Sequence, residues 1–297
     1  MLGAMVVDWL SRDVALGLRA TVRDLDLIKR GSDLLPSVDW VEFQGEDSDV
    51  ESLRSVIAGH EWVVNAIGIT KPYIRDDTTA EVERAVRVNS LFPHLLARAA
   101  VMEGARVIQI ATDCVYSGAQ GSYVESSIHD ADDVYGKSKS LGEAHSDSMH
   151  MIRCSIVGPE PGRLTFLLEW LVQLPKGEHV NGYTDHEWNG VTTLHFARVC
   201  HGIITGTAGL TPGIQHLIPG GRVTKNELLR CFARVFDRTD IQIAATESPS
   251  STDRTLATEH EEDNRALWRA AGYPVPPTIP DMVTELADFD FRLASLR

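Results

Sequence analysis

Cysteines, cationic side chains and long apolar runs are all scarce in this chain. Only four cysteines occur in 297 residues, Cys114, Cys154, Cys200 and Cys231, and none belongs to a Cys-x-x-Cys pair. That argues against a disulfide framework and predicts reduced thiols buried as small apolar groups. Lysine and arginine number 28 against 42 aspartates and glutamates, a formal net charge of −14. A broad basic face is thereby excluded, and neither a nucleic acid nor a membrane is expected as a partner, although a few local arginines could hold a small anion. No run approaches the roughly 18 apolar residues of a membrane helix. No basic-then-apolar leader precedes the fold, so a cytoplasmic protein is expected. No metal site is predicted.

A strand ahead of the first helix is also lacking. The opening "MLGAMVVDWLSRD" already repeats Val6, Val7 and Leu10 at helical spacing, with Gly3 at its head.

What is present is ordinary globular material, 43% hydrophobic, in a chain long enough to bury a core without staples. Strands are expected over 16–24, 38–45, 61–70, 105–118 and 150–160. Helices are expected from about Asp49, over 80–104 with Pro93 as a possible kink, and over 134–146. This alternation implies right-handed crossovers and an α/β fold, a parallel sheet covered on both faces. Beyond Pro159 the texture changes. A helix is expected at 164–174, and the polar, aromatic stretch "GEHVNGYTDHEWNGVTT" reads as a loop-borne binding surface. Helices at 194–206 and 224–238, the latter opened by a Thr224–Glu227 capping box, strands at 213–221 and 241–247 and two tail helices complete the chain. The C-terminal part is expected as a smaller lobe woven into the first.

The chemistry is carried by "DVYGKSKSLGE", where Tyr135 and Lys139 stand one helical turn apart on the same face. An ammonium beside a phenol favours the phenolate, lowering the tyrosine pKa and making it a plausible proton donor. Thr112 ends the strand "VIQIATD" at the carboxyl edge of the sheet, where parallel sheets bind ligands. Its hydroxyl suits a carbonyl oxygen gaining charge, and a strand-end cap is its structural alternative. "NAIG" (65–68) ends the previous strand with a glycine that permits close backbone approach. Asn89 in "RVNS" reads as a buried amide bracing the site or as a surface residue.

The series "NAIG", "RVNS", "ATDCVYSG", "YGKSKSLGE" and "IRCSIVGPE" resembles the extended short-chain dehydrogenase/reductases. Within these it is similar to the dTDP-4-dehydrorhamnose reductase family of nucleotide-sugar reductases, over nearly the whole chain. The resemblance implies a Rossmann-type doubly wound sheet, with residues 1–158 and 192–217 binding a dinucleotide and 159–191 and 218–297 forming a substrate lobe. It implies a catalytic triad of Thr112, Tyr135 and Lys139, with Lys139 also gripping the nicotinamide ribose and Asn89 completing a proton relay. Asn65, Ala66 and Gly68 would lie beside the cofactor, and Ile156 to Pro159, Gly158 included, against the nicotinamide. Trp188, Asn189 and Thr192 would meet a nucleotide-sugar substrate, with Thr112 at the carbonyl and Arg254 on a diphosphate. The long helices hint at a homodimer.

Cofactor choice turns on "ATVRD", where Arg23 could pair with a 2′-phosphate and Asp24 with a ribose hydroxyl. The stretch looks like its counterpart in NADPH-dependent dihydroflavonol reductases, so NADPH is favoured over NADH. The family begins with a strand and Gly-x-x-Gly-x-x-Gly, which cradles the pyrophosphate. Here Gly3 is the one surviving glycine. Three explanations stand: a chain recorded from an internal methionine, a shortened form whose sheet closes differently, or a homologue that no longer binds cofactor. The retained Thr112, Tyr135 and Lys139 favour the first. The competing functional readings are a non-catalytic regulatory subunit of the same fold, and a sugar-nucleotide epimerase or dehydratase.

Overall fold

The computed structural model describes residues 1–161 and 166–296. The chain opens with α1 (Leu2–Leu10), β1 (Arg19–Val22), α2 (Leu25–Leu34), β2 (Asp39–Glu42), α3 (Val50–Ile57) and β3 (Trp62–Asn65). Then come α4 (Thr79–Ala85), a π-helical turn (Val86–Leu91), α5 (Phe92–Glu103), β4 (Arg106–Ala111), α6 (Val134–Leu141), β5 (Met149–Arg153) and β6 (Ile156–Val157). The remainder comprises α7 (Leu167–Val172), β7 (His179–Tyr183), β8 (His186–Trp188), β9 (Val191–Thr192), α8 (Thr193–Ile204), β10 (Gly213–His216) and β11 (Val223–Thr224). The chain ends with α9 (Lys225–Val235), β12 (Gln242–Thr246), β13 (Thr252–Asp253), α10 (Glu261–Ala270) and α11 (Ile279–Asp288).

The α/β alternation builds a parallel sheet of order β10-β5-β4-β3, as the apolar runs imply. β1 and β2 pair in parallel as a separate ribbon. Among the described residues no strand joins the two. A cavity of about 720 Å³ lies between them, lined by β1 on one side and β3 on the other, with Gly3, Ala4 and Val7 of α1 along its wall. Each of those two strands therefore presents an unpaired edge to an apolar void.

The stretch 177–193, expected as a loop, is largely strand. β7 pairs with β12 in parallel, and β8 lies between β11 and β13. Its polar residues occupy the solvated faces of short strands, and strand partners 35 to 66 residues downstream in the chain leave no local signal. α2 was not expected, and several of the foreseen elements are shorter than expected. The strand foreseen at 16–24 begins only at Arg19, and Asp24 instead caps α2 by accepting from Leu27 N at 2.9 Å. The helix foreseen at 134–146 stops at Leu141. Leu164 and Thr165 of the helix foreseen at 164–174 lie outside the described residues.

Pro93 stands in the first turn of α5, directly after a π turn that interrupts the expected helix. Proline has no N–H to offer the Asn89 carbonyl four residues back, so the ladder is reset there. One large apolar core runs through α1, β5, α8, α9, α10 and α11, so the C-terminal elements share it with the first helix. Cys154, Cys200 and Cys231 are buried, and Cys114 is half-buried.

Candidate active site

β4 ends at Ala111, and Thr112 follows in extended conformation at the carboxyl edge of the sheet. Its hydroxyl accepts from Cys114 N at 3.2 Å, capping a short 3-10 turn, and donates to Asp113 Oδ1 at 3.2 Å. The cap and the site role thus coincide on one side chain. The same hydroxyl contacts the Tyr135 phenol.

Tyr135 stands in the first turn of α6, which Asp133 caps by accepting from Gly136 N at 2.7 Å. That helix can approach the β4 turn because of Gly136. A Cβ there would stand 2.4 Å from the Cys114 carbonyl oxygen and 2.4 Å from Ala131 Cβ. One turn on, Lys139 Nζ donates to Ile110 O at 3.1 Å, so the triad spans the end of β4.

The electrostatics differ from the expectation that Lys139 lowers the tyrosine. Burial dominates and raises the Tyr135 pKa, Cys114, Asp113 and Asp133 add to the rise, and only the Thr112 hydrogen bond pulls it down. Burial also lowers Lys139 to about 8, against the attraction of Glu143 and Cys114. At neutral pH the phenol is therefore a protonated donor and the amine still mainly charged.

Asn89, placed on the π turn, is 2% exposed. Its amide accepts from Ile69 N at 2.8 Å and donates to Ile69 O at 2.9 Å and to Ser138 Oγ at 3.2 Å. Those bonds occupy both ends of the amide. Asn89 therefore braces α6 against the 65–69 loop.

Asn65 is buried, donating to Gln109 Oε1 at 2.6 Å and accepting from Ile67 N at 3.0 Å, which shapes the turn after β3. Gly3 faces Ala66, and both line the large cavity; Gly68 is exposed and lies beside Asn89. Arg23 follows β1, and among the described residues no hydrogen bond or ion pair engages its guanidinium, whereas Asp24 is engaged as a cap.

A second cavity, of about 260 Å³, opens where Asp113, Cys114, Ile156, Trp188, Lys225 and Arg254 meet. Trp188 donates Nε1 to Ser155 Oγ at 2.9 Å, and Arg254 donates Nε to Tyr116 O at 2.9 Å and Nη2 to Ser117 O at 3.1 Å. Gly158 also lines this cavity; its missing side chain is explained by Thr193, whose Oγ1 would stand 2.1 Å from a Cβ there.

Two expected substrate contacts are placed elsewhere. Asn189 staples the 253–258 segment, donating to Leu256 O at 2.7 Å and accepting from Leu256 N at 2.9 Å. Thr192 is 1% exposed and caps α8, accepting from His195 N at 3.3 Å. Sequence reading missed Lys225, which lies on a separate helix and carries no local motif. Asp113, next to Thr112 in "ATDCVYSG", likewise carries no signal of its own in the sequence. Among the described residues no group of three His, Cys, Asp or Glu side chains is placed to hold a metal ion.

The comparisons fit this architecture. The crystal structure of a dTDP-4-dehydrorhamnose reductase from Clostridium acetobutylicum superposes with a TM-score of 0.66 at 17% identity, over 92% of this chain and 99% of that one. A dTDP-4-dehydrorhamnose reductase from Bacillus anthracis, in complex with NADP, gives 0.65 at 16% identity, over 88% and 93%. A UDP-glucuronic acid 4-epimerase from Bacillus cereus, in complex with UDP-glucuronic acid and NAD, gives 0.74 at 12% identity, over 97% and 95%. These likenesses show a shared Rossmann-type α/β fold. No curated protein sequence matches the chain. The family described as the RmlD substrate binding domain matches residues 29–262. That span covers both the triad helix and the smaller cavity, and the chain belongs to this family.

Proposed function

We propose that the chain is a reductase of the dTDP-4-dehydrorhamnose reductase type, which uses NADPH to reduce a keto group on a nucleotide-linked sugar. The observation that carries this reading is the meeting of Thr112, Tyr135 and Lys139 at the carboxyl edge of β4, next to the cavity that Asp113 and Cys114 line.

The residues present fit a dinucleotide. α1 opens without a side-chain cap on its first N–H groups, beside Gly3 and Ala66, a disposition that suits an anion. When bound, a reduced nicotinamide supplies the hydride that the carbonyl carbon accepts. The Tyr135 phenol, kept protonated by burial, gives its proton to the carbonyl oxygen, while the Thr112 hydroxyl hydrogen-bonds that oxygen as charge develops. Lys139, charged at neutral pH, offsets the phenolate left behind. Asn89 keeps α6 in place for all three. Trp188 and Arg254 line the substrate cavity, and Arg254 is suited to a diphosphate.

NADPH is preferred over NADH in this reading because Arg23 stands after β1 while the Asp24 carboxylate is taken by its cap. Residues 1–158 and 192–217 then carry the cofactor, and 159–191 and 218–297 the substrate. Exposed Leu91, Val101, Met102 and Leu141 on neighbouring helices support a homodimer. No helix among the described residues is long and apolar enough to cross a membrane, and the proposed location is the cytoplasm.

The test is NADPH oxidation by the purified chain with a dTDP-4-keto-sugar, alongside fluorescence titrations with NADPH and NADH. Turnover with NADPH is expected. Two other readings have a specific observation behind them. The void between β1 and β3 favours a non-catalytic subunit, which would bind neither nicotinamide and would copurify with a partner enzyme. The epimerase likeness favours an epimerase, which would retain NAD through purification.

A further inference from the structure

The smaller cavity holds an unassigned residue. Lys225 is the first residue of α9, held there by the Thr224–Glu227 capping box. Lys225 is half-buried and lines the 260 Å³ cavity together with Asp113. Burial lowers its pKa, against the upward pull of the Asp113 carboxylate. Among the described residues no hydrogen bond or ion pair occupies the Lys225 ammonium.

Asp113 is 7% exposed. Its Oδ1 accepts from Thr112 Oγ1 at 3.2 Å, with Cys114 Sγ at 3.6 Å, and Arg254 attracts it across the cavity. Burial nevertheless outweighs these and raises its pKa. A donor-only group and an acceptor group thus line one small cavity of mixed polar and apolar wall, unjoined to each other, with Asp113 next in sequence to Thr112. Asp113 is held by Thr112 and Cys114, whereas the half-buried Lys225 ammonium has no such partner among the described residues and stands to gain from a polar guest. The other cation is differently placed, since Arg254 already spends two of its edges on the Tyr116 and Ser117 carbonyls.

We infer that Lys225 and Asp113 form a donor–acceptor pair that reads the hydroxyl groups of the sugar beside its reacting carbon, so that Lys225 determines sugar specificity. The inference rests on the nucleotide-sugar reading above. The ammonium donates to one ring oxygen and the Asp113 carboxylate accepts from a neighbouring hydroxyl. A vicinal diol satisfies both groups at once, whereas a deoxygenated position leaves one unpaired and is disfavoured.

The experiment is calorimetric titration of the full chain, with excess NADP+ present, by dTDP and dTDP-glucose and by UDP and UDP-glucose. In the native protein the sugar is expected to add affinity over the bare nucleotide. In Lys225→Met that increment should fall roughly ten- to hundredfold while bare-nucleotide binding is unchanged, and Lys225→Arg should recover part of it. An equal loss for nucleotide and nucleotide-sugar would place Lys225 on the diphosphate and overturn the inference, as would an unchanged increment. Thermal melting of both variants verifies that the fold is kept. Failure of the native protein to bind any of the four would instead overturn the nucleotide-sugar reading itself, and the pair with it.

Discussion

Asn89 and Gly142 meet backbone to backbone: a Cβ on Gly142 would stand 1.8 Å from the Asn89 carbonyl oxygen. The same asparagine donates its amide to Ser138 Oγ, so the end and the middle of α6 are both registered against the π turn. Asn89→Ala leaves the Ile69 N–H and C=O without their partner. It is expected to cost about 1–3 kcal/mol, measurable as a lower urea midpoint. Because α6 carries Tyr135 and Lys139, kcat should fall more than KM rises. Unchanged kcat would show that α6 holds its place without the amide.

Tyr135→Phe removes the proton donor and the contact to Thr112 while keeping the ring. Turnover is expected to drop by about 10²–10⁴, with circular dichroism and NADPH affinity nearly unchanged. Retained activity would take the acid role away from this residue.

His195 predicts a pH dependence of stability. It is fully buried on α8, sharing hydrogen bonds with Thr192 Oγ1 at 2.7 Å and Tyr273 Oη at 2.8 Å. Glu285 and Arg198 also face it, and burial outweighs the attraction of Glu285, lowering its pKa to about 4. The unfolded chain, with an ordinary histidine, binds this proton already near pH 6.5. Stability is therefore complete above that value and lost as pH falls from about 6.5 to about 4. Between pH 7 and pH 5 the loss from this group is about 2 kcal/mol. His195→Gln should abolish that share, whereas the losses from His129, His150 and His216, shifted in the same direction, remain. Equal pH slopes for both proteins would refute it.

The void between β1 and β3 predicts the effect of filling it. β1 and β3 have four residues each, so an apolar strand of about five residues spans their edges. Fused ahead of Met1, such a strand with a glycine loop is expected to raise the melting temperature and slow amide exchange along both strands. It should also tighten NADPH binding, through a phosphate cradle built against Gly3. If exchange along β1 and β3 stays unchanged, the void does not accept a strand.

Much of this molecule is written in local pattern. Apolar runs such as "RVIQIA" and helix starts such as the Thr224–Glu227 box depend on neighbours in sequence, so strands, helices and their alternation are legible from the residues alone. The one-turn spacing of Tyr135 and Lys139 is legible for the same reason. Tertiary structure decided what spacing could not: that burial, not Lys139, sets the Tyr135 pKa, because desolvation depends on everything packed around the phenol. It turned 179–192 into strands through partners far along the chain. It diverted Asn189 and Thr192 to structural bonds, and it carried Lys225 on α9 to the cavity that Asp113 also lines. Local propensity is a property of a few consecutive residues, whereas a site is a meeting of distant ones, and only the packed chain brings them within reach.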